Sequence, residues 1–232
     1  MLEGAEAMGI AMTGEQAAKF ATYHAMLTEA NQRMNLTRVP EDLKESADRN
    51  YLDSIAPLTC DFPEARLAVD VGSGAGFPGI PLSILLPETR FVLMDSLAKR
   101  VEFLQAVIAA LNLNAEAVHL RAEEAGRSPE YRERFDLAVA RAVAPMNVLS
   151  ELMLPLVRVG GHMLAMKGPG LDEEIAASQK ALAALGGSVL RTEALNVPGR
   201  DWDHRAALIA KVAPTPDKYP RQPGMPRKRP LI

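Results

Sequence analysis

The chain has 232 residues, 48% of them hydrophobic and 24% charged, which suits one folded α/β domain with a short extension and excludes both a disordered chain and two full-sized catalytic domains. Its single cysteine, Cys60, excludes an internal disulfide and a cysteine-held metal cluster, reads as a small buried apolar side chain, and fits a reducing, cytoplasmic setting. The net charge of −3 is unevenly spread: Lys218, Arg221, Arg227, Lys228 and Arg229 give Lys218 to Ile232 a charge of +5, leaving −8 on the rest.

In chain order, Met1 to Phe20 has neither the basic start nor the apolar core of a secretory leader, and nowhere is there an apolar stretch long enough to span a membrane. Gly14 to Met34 predicts an amphipathic helix, with Ala17, Phe20, Ala21, His24, Leu27 and Ala30 on one face and Thr13 as its N-cap. A second helix is expected from Pro40 to Leu58, with Leu43, Ala47, Tyr51, Leu52 and Ile55 facing inward. Together they predict a helical cap over residues 1–64.

From Arg66 strands alternate with helices, the pattern of a parallel sheet with crossover helices. Seven strands are expected: Leu67 to Val71, Arg90 to Met94, Ala115 to Arg121, Phe135 to Ala140, Gly161 to Met166, Ser188 to Asn196 and His204 to Val212. Helices are expected at Pro78 to Leu86, Leu97 to Leu111, Asn147 to Val157 and Leu171 to Leu185, the last stopped by Gly186 and Gly187. The link between Asn196 and His204 is too short for a helical crossover, so the last two strands are expected to be antiparallel neighbours. The sheet domain is thus placed at residues 65–213 and a basic tail at 214–232. Such a tail either contacts phosphates or is simply solvated.

The first strand runs into Gly72-Ser73-Gly74-Ala75-Gly76-Phe77-Pro78-Gly79, which satisfies two fingerprints. Counted from Gly74 it is the dinucleotide pattern G-x-G-x-x-G, and counted from Asp70 it is D-x-G-x-G-x-G. Asp70 would repel a pyrophosphate but favours the cationic sulfonium and ammonium of S-adenosylmethionine, directly or through a water. Asp95, ending the second strand, suits a ribose diol in either cofactor class and also the N-cap of the next helix.

Ala122 and Glu123 follow the third strand, either reading an adenine edge or forming a solvated acidic loop. Arg141, after the fourth strand, suits a cofactor carboxylate, a substrate phosphate or a structural ion pair, and Lys167 after the fifth has the same position. The four histidines are too scattered for a metal site or a triad, so no metal ligand is assigned.

Val69-Asp70-Val71-Gly72-Ser73-Gly74-Ala75-Gly76-Phe77-Pro78-Gly79-Ile80-Pro81-Leu82 with Asp95-Ser96-Leu97-Ala98-Lys99-Arg100 resembles the bacterial small-subunit ribosomal RNA methyltransferase G family, also called glucose-inhibited division protein B. The likeness continues through Arg121-Ala122-Glu123-Glu124, Arg141-Ala142-Val143-Ala144, Met166-Lys167-Gly168 and Lys218-Tyr219-Pro220-Arg221. It implies a class I, Rossmann-like methyltransferase fold that moves a methyl group from S-adenosylmethionine to N7 of a guanine in the decoding region of 16S rRNA. Cofactor contacts are then expected at Asp70, Gly72, Gly74, Gly76, Phe77, Asp95, Ser96, Leu97, Ala122, Glu123 and Arg141. RNA contacts are expected at Lys167, Lys218, Arg221, Arg227, Lys228 and Arg229, in a monomer acting on 16S rRNA or the 30S subunit.

Guanine N7 has an in-plane lone pair and no proton to lose, so no catalytic base is assigned, and Phe77, Pro145 and Met146 either line the base slot or simply pack in the core. Asn50 stands where the family pattern H-x-L-D-S has His. The alternatives are an NAD-dependent oxidoreductase using Gly74-x-Gly76-x-x-Gly79 and a noncatalytic ribosome-assembly factor.

Overall fold

The computed structural model describes residues 1–37, 40 and 42–232. Seven strands form one sheet in the order β3-β2-β1-β4-β5-β7-β6: β1 (Leu67–Val71), β2 (Arg90–Asp95), β3 (Ala115–His119), β4 (Phe135–Arg141), β5 (Val157–Lys167), β6 (Gly187–Ala194) and β7 (Arg205–Lys211). β1 to β5 pair in parallel, whereas β7 runs antiparallel to both β5 and β6, as the short link between the last two strands required. The strand order reverses between β1 and β4, and the crevice at their carboxyl ends is where such sheets bind ligands.

The central strands are buried on both faces, which explains their near-continuous apolar runs. One face carries α5 (Gly79–Leu85) and α6 (Ala98–Leu111), and the other α8 (Met146–Met153) and α9 (Leu171–Ala184). Of the N-terminal helices α1 (Leu2–Ala7) and α2 (Gly14–Met34), α2 forms a second layer outside α5 and α6, with Phe20, Tyr23 and Leu27 buried in the same apolar cluster as the sheet, and α1 packs near Leu52. Thr13 caps α2 through a reciprocal pair: its hydroxyl accepts from the Gln16 amide at 3.1 Å, and the Gln16 side chain accepts from the Thr13 amide at 2.9 Å.

The helix expected from Pro40 to Leu58 is broken into four pieces, and the part at Glu41 lies outside the described residues. α3 (Leu43–Ser46) passes into a π-helical stretch, Ala47–Leu52, then α4 (Asp53–Ile55) and a 3-10 turn, Ala56–Thr59. The wider stretch buries Asp48 and Asn50, and Asp53 follows it under the sheet's carboxyl edge. π turns of this kind concentrate at functional sites.

Three further boundaries differ from expectation. β3 ends at His119 because the chain turns at Arg121 into α7 (Ala122–Ala125), whose Glu124 carboxylate bonds back to the Arg121 amide. α8 stops at Met153, short of Val157, because Pro155 has no N–H to continue it, and β5 takes up Val157. The basic tail is docked on the body, forms α10 (Met225–Lys228) and buries Pro226.

Lys211, at the end of β7, has no exposure and donates to the Leu154 carbonyl and the Thr215 hydroxyl, both at 2.6 Å, with the Glu133 carboxylate at 3.0 Å. Lys211→Ala should cost about 3 kcal/mol, because it strands a carbonyl and a partly buried carboxylate. Urea unfolding followed by circular dichroism checks this.

Candidate cofactor and substrate site

The loop after β1 is fixed by two carboxylates at the ends of neighbouring strands. Asp95 Oδ2 accepts from the Gly74 amide at 2.9 Å, and its Oδ1 accepts from the Leu97 amide at 2.9 Å, so one side chain ties the glycine loop to the start of α6. Arg100 approaches the same Oδ2 at 3.3 Å. Asp70 Oδ2 accepts from the Gly79 amide at 3.0 Å, anchoring the start of α5. From the outer layer, Tyr23 donates its hydroxyl proton to the Ala75 carbonyl at 2.6 Å. Gly76 has φ of +108°, and a Cβ there would meet Ile80 and the Tyr23 hydroxyl oxygen at 2.7 Å, so the loop closes onto α2 only with glycine in place.

Asp70 is fully buried beneath this loop, and its Oδ1 has no hydrogen-bond partner among the described residues. Burial pushes its carboxyl up to about 7, opposed by hydrogen bonding from Ser73 and the Gly79 amide and by the charge of Arg141. Asp70 lines neither cavity described below and clamps the loop through the Gly79 amide.

Two cavities open at the carboxyl edge of the sheet. The smaller, about 270 Å³, is lined by Gly72, Asp95, Ser96, Ala122, Glu123 and Arg141. The larger, about 920 Å³, is lined by Arg49, Asp53, Pro145, Lys167, Glu174 and His204, among others. They meet at Arg141-Ala142-Val143, where the chain leaves β4 and Ala142 adopts a left-handed φ of 55°. Six of the expected cofactor residues thus converge on one chamber.

The other expected residues sit outside its lining. Gly74 and Gly76 shape the loop, and Leu97 contributes the amide held by Asp95. The Phe77 ring is packed against Tyr23 and Tyr51, with the Arg141 guanidinium 4.8 Å from its centre. Met146 is likewise fully buried in the core, whereas Pro145 does face the larger cavity.

Arg141 donates to Asp53 Oδ2 at 3.0 Å and to the Arg49 carbonyl at 3.1 Å. Asp53 Oδ1 pairs with His204 Nδ1 at 2.7 Å, and that hydrogen bond raises the imidazole above its ordinary range. This Arg141–Asp53–His204 chain was missed as a functional unit. Its signal was an acid, Asp53, next to the apolar Tyr51, Leu52 and Ile55 of the expected inward face.

Glu123 Oε1 accepts from the Gly224 amide at 2.9 Å and from Arg121 at 3.2 Å. Burial alone would raise this carboxyl, but the Gly224 and Glu123 amides and Arg121 outweigh it and hold it below the usual range. Among the expected RNA-binding cations, two are occupied internally. Lys167 is held by the Ala144 carbonyl at 2.7 Å and Glu174 at 2.6 Å, and Arg221 forms a two-pronged pair with buried Glu151 at 2.6 and 2.9 Å. Arg227 borders the smaller cavity, while Lys228 and Arg229 are exposed and Lys218 lies 5.2 Å from the Tyr219 ring.

The sequence profile described as GidB, rRNA small subunit methyltransferase G, matches residues 16–202. The chain belongs to this family. A curated ribosomal RNA small subunit methyltransferase G from Alkaliphilus metalliredigens is 44% identical over 231 residues, 99% of this chain and 96% of that protein. Its counterpart from Lactobacillus helveticus is 46% identical over 224 residues, covering 95% and 93% respectively.

Among solved structures, Aeropyrum pernix fibrillarin with natively bound S-adenosyl-L-methionine superposes with a TM-score of 0.55 at 17% identity, over 71% of this chain and 76% of that one. Cofactor-bound Rv0187 from MTB gives 0.55 at 18%, over 84% and 91%. These two likenesses concern the fold. Family membership makes the chain a methyltransferase that uses S-adenosylmethionine and displaces the hydride-transfer alternative.

Because the Asp70 carboxyl is raised in the folded methyltransferase, its contribution to stability is full below pH 4 and is lost as pH rises through 7. Relative to Asp70→Asn, the unmodified protein should lose about 2–3 kcal/mol of stability between pH 5 and 8. Paired urea titrations at the two pH values measure this difference.

Proposed function

We propose that the chain transfers the methyl group of S-adenosylmethionine to N7 of a guanine in small-subunit rRNA. The observation that carries this reading is the pair of chambers meeting at Arg141–Val143, one suited to an adenosine cofactor and the other open enough for a nucleotide base. Three protein donors already reach Asp95, yet a carboxylate has about four acceptor positions, so it retains capacity towards a ribose diol. Gly72 has φ of +74°, and a Cβ there would press on Val143 at 3.1 Å, so a side chain would crowd the floor of the same chamber. The donor set therefore fits the cofactor, with Asp95 for ribose, Ala122 and Glu123 for adenine, and Arg141 for the methionine carboxylate.

When bound, the cofactor supplies an electrophilic methyl carbon on a cationic sulfur. The guanine nitrogen brings its own lone pair, so the chain has no proton to remove and its residues align the partners and exclude water. Asp42, Glu45, Asp53 and Glu174 line the larger chamber beside Arg49, Arg141, Lys167 and His204, so its wall carries paired charges that can orient a polar base.

At the rim of that chamber stands Trp202, the single tryptophan, with the guanidinium carbons of Arg49 and Arg200 at 4.9 and 5.3 Å from its ring. Glu45 holds Arg49 and buried Asp48 holds Arg200, each at 2.8 Å, which fixes both cations against the ring. Such a stack suits an unpaired RNA base, and exposed Lys228, Arg229 and Lys218 suit the RNA backbone. The reading extends to a monomer acting in the cytoplasm on 16S rRNA or the 30S subunit. Among the described residues no helix is long and apolar enough to cross a membrane.

The decisive experiment is transfer of labelled methyl groups to 30S subunits and 16S rRNA from cells lacking the enzyme, followed by mapping of N7-methylguanine. Labelled N7-methylguanine supports the reading, and label at any other atom refutes it. Subunit binding without transfer supports the noncatalytic assembly factor instead. Asp95→Asn should weaken cofactor binding at least about tenfold, measured by calorimetry. Binding of an oligoribonucleotide should quench Trp202 fluorescence, and Trp202→Ala should weaken that RNA by about 1–3 kcal/mol with cofactor affinity unchanged.

A further inference from the structure

We infer that the segment from Lys218 onward is the outer wall of the adenosine chamber, and that Arg227 binds the cofactor by laying its guanidinium against the adenine face. The inference rests on the reading of that chamber as the S-adenosylmethionine site. By composition the segment looks like an arm for nucleic acid, with five cations and no acid. Its contacts give part of it a different task.

Five groups of the body grip it in succession. Arg132 donates to the Tyr219 carbonyl at 2.8 Å and Arg127 to the Pro220 carbonyl at 2.7 Å. Arg221 then enters its two-pronged pair with Glu151, a carboxylate with no exposure, and its amide donates to the same side chain at 2.8 Å. Three residues later the Gly224 amide donates to Glu123 Oε1, inside the chamber lining. Further on, the Asn147 side-chain amide donates to the Leu231 carbonyl at 3.2 Å.

Arg227 is carried by this frame to the chamber mouth, where its Nη2 donates to the Val143 carbonyl at 3.1 Å. It makes no ion pair among the described residues, unlike Arg221 and Lys167, so its charge is not spent internally. Val143 lies on the seam between the two chambers, and Asp95 and Glu123 line the same small cavity as Arg227. A planar, weakly hydrated guanidinium in that position matches the π-face of a purine. Glu123, meanwhile, is oriented by an amide of the same segment, so the wall both covers the chamber and sets one of its polar groups.

Calorimetric titration of the full chain with S-adenosylmethionine and with S-adenosylhomocysteine tests the inference. Arg227→Ala should weaken both ligands by the same factor, about 5- to 30-fold, because they share adenosine. Arg227→Lys should recover little of this, since the charge is kept and the plane is lost. Arg221→Ala should weaken both ligands by releasing the frame, and Arg33→Ala, on the far exposed side of α2, should weaken neither.

Unchanged affinity in Arg227→Ala, beside normal binding by the unmodified protein, overturns the inference and leaves the proposed function standing. A loss confined to S-adenosylmethionine also overturns it, because Arg227 would then act at the sulfonium end. If the unmodified chain binds neither ligand, the reading of the chamber falls and the inference falls with it. Circular dichroism melts separate Arg221→Ala from simple unfolding, and Arg227→Ala on an exposed side chain decides the matter independently.

Discussion

The site depends on two carboxylates at the ends of adjacent strands, each taking an amide from one end of the same glycine loop. Asp95 pulls the loop's first half towards α6, and Asp70 pulls its far end towards β1. Between these points the Gly76 and Phe77 amides donate to the Ser73 carbonyl and fold the chain into a turn, and the two carboxylates with Tyr23 fix where that turn sits. An amide bond to a carboxyl contributes about 0.5–1.5 kcal/mol net when the acceptor is neutral and more when it is charged, which restrains a loop otherwise free to sample many conformations.

This arrangement makes the N-terminal helices part of the site. Tyr23 of α2 supports the loop, Tyr51 packs on Phe77, and Asp53 holds Arg141 through an ion pair with His204 on its other oxygen. Arg141 stands at the seam of the chambers, so a shift of the π-helical stretch moves a residue common to both. Arg49 takes part twice, with its carbonyl accepting from Arg141 and its guanidinium lying over Trp202. Contacts thus run without a break from the outer layer through the seam of the two chambers to Trp202.

Much of this was legible in the sequence, because strand ends in a parallel sheet have fixed neighbours. Asp95, Glu123 and Arg141 could be placed by counting strands, and the antiparallel end of the sheet followed from the length of one link. What could not be read was burial. The sequence does not show that the Asp70 side chain lies beneath the loop or that the Phe77 ring packs among tyrosines. Arg221 looked like a phosphate ligand because its partner, Glu151, is 70 residues distant and sits on a helix that otherwise reads as apolar. The π-helical stretch also escaped, since its residues keep a helical pattern while the register widens.

The Glu151–Arg221 pair bears on how the protein is made. Synthesis runs from the N-terminus, so α8 and its buried carboxylate emerge before the only cation that pairs with Glu151 among the described residues. Until then an ionised Glu151 lacks compensation, and removing such a partner costs about 3–5 kcal/mol in a folded interior. The C-terminal segment is therefore needed to neutralise a carboxylate laid down 70 residues earlier, and α8 and the wall beside Glu123 are joined through that one buried pair.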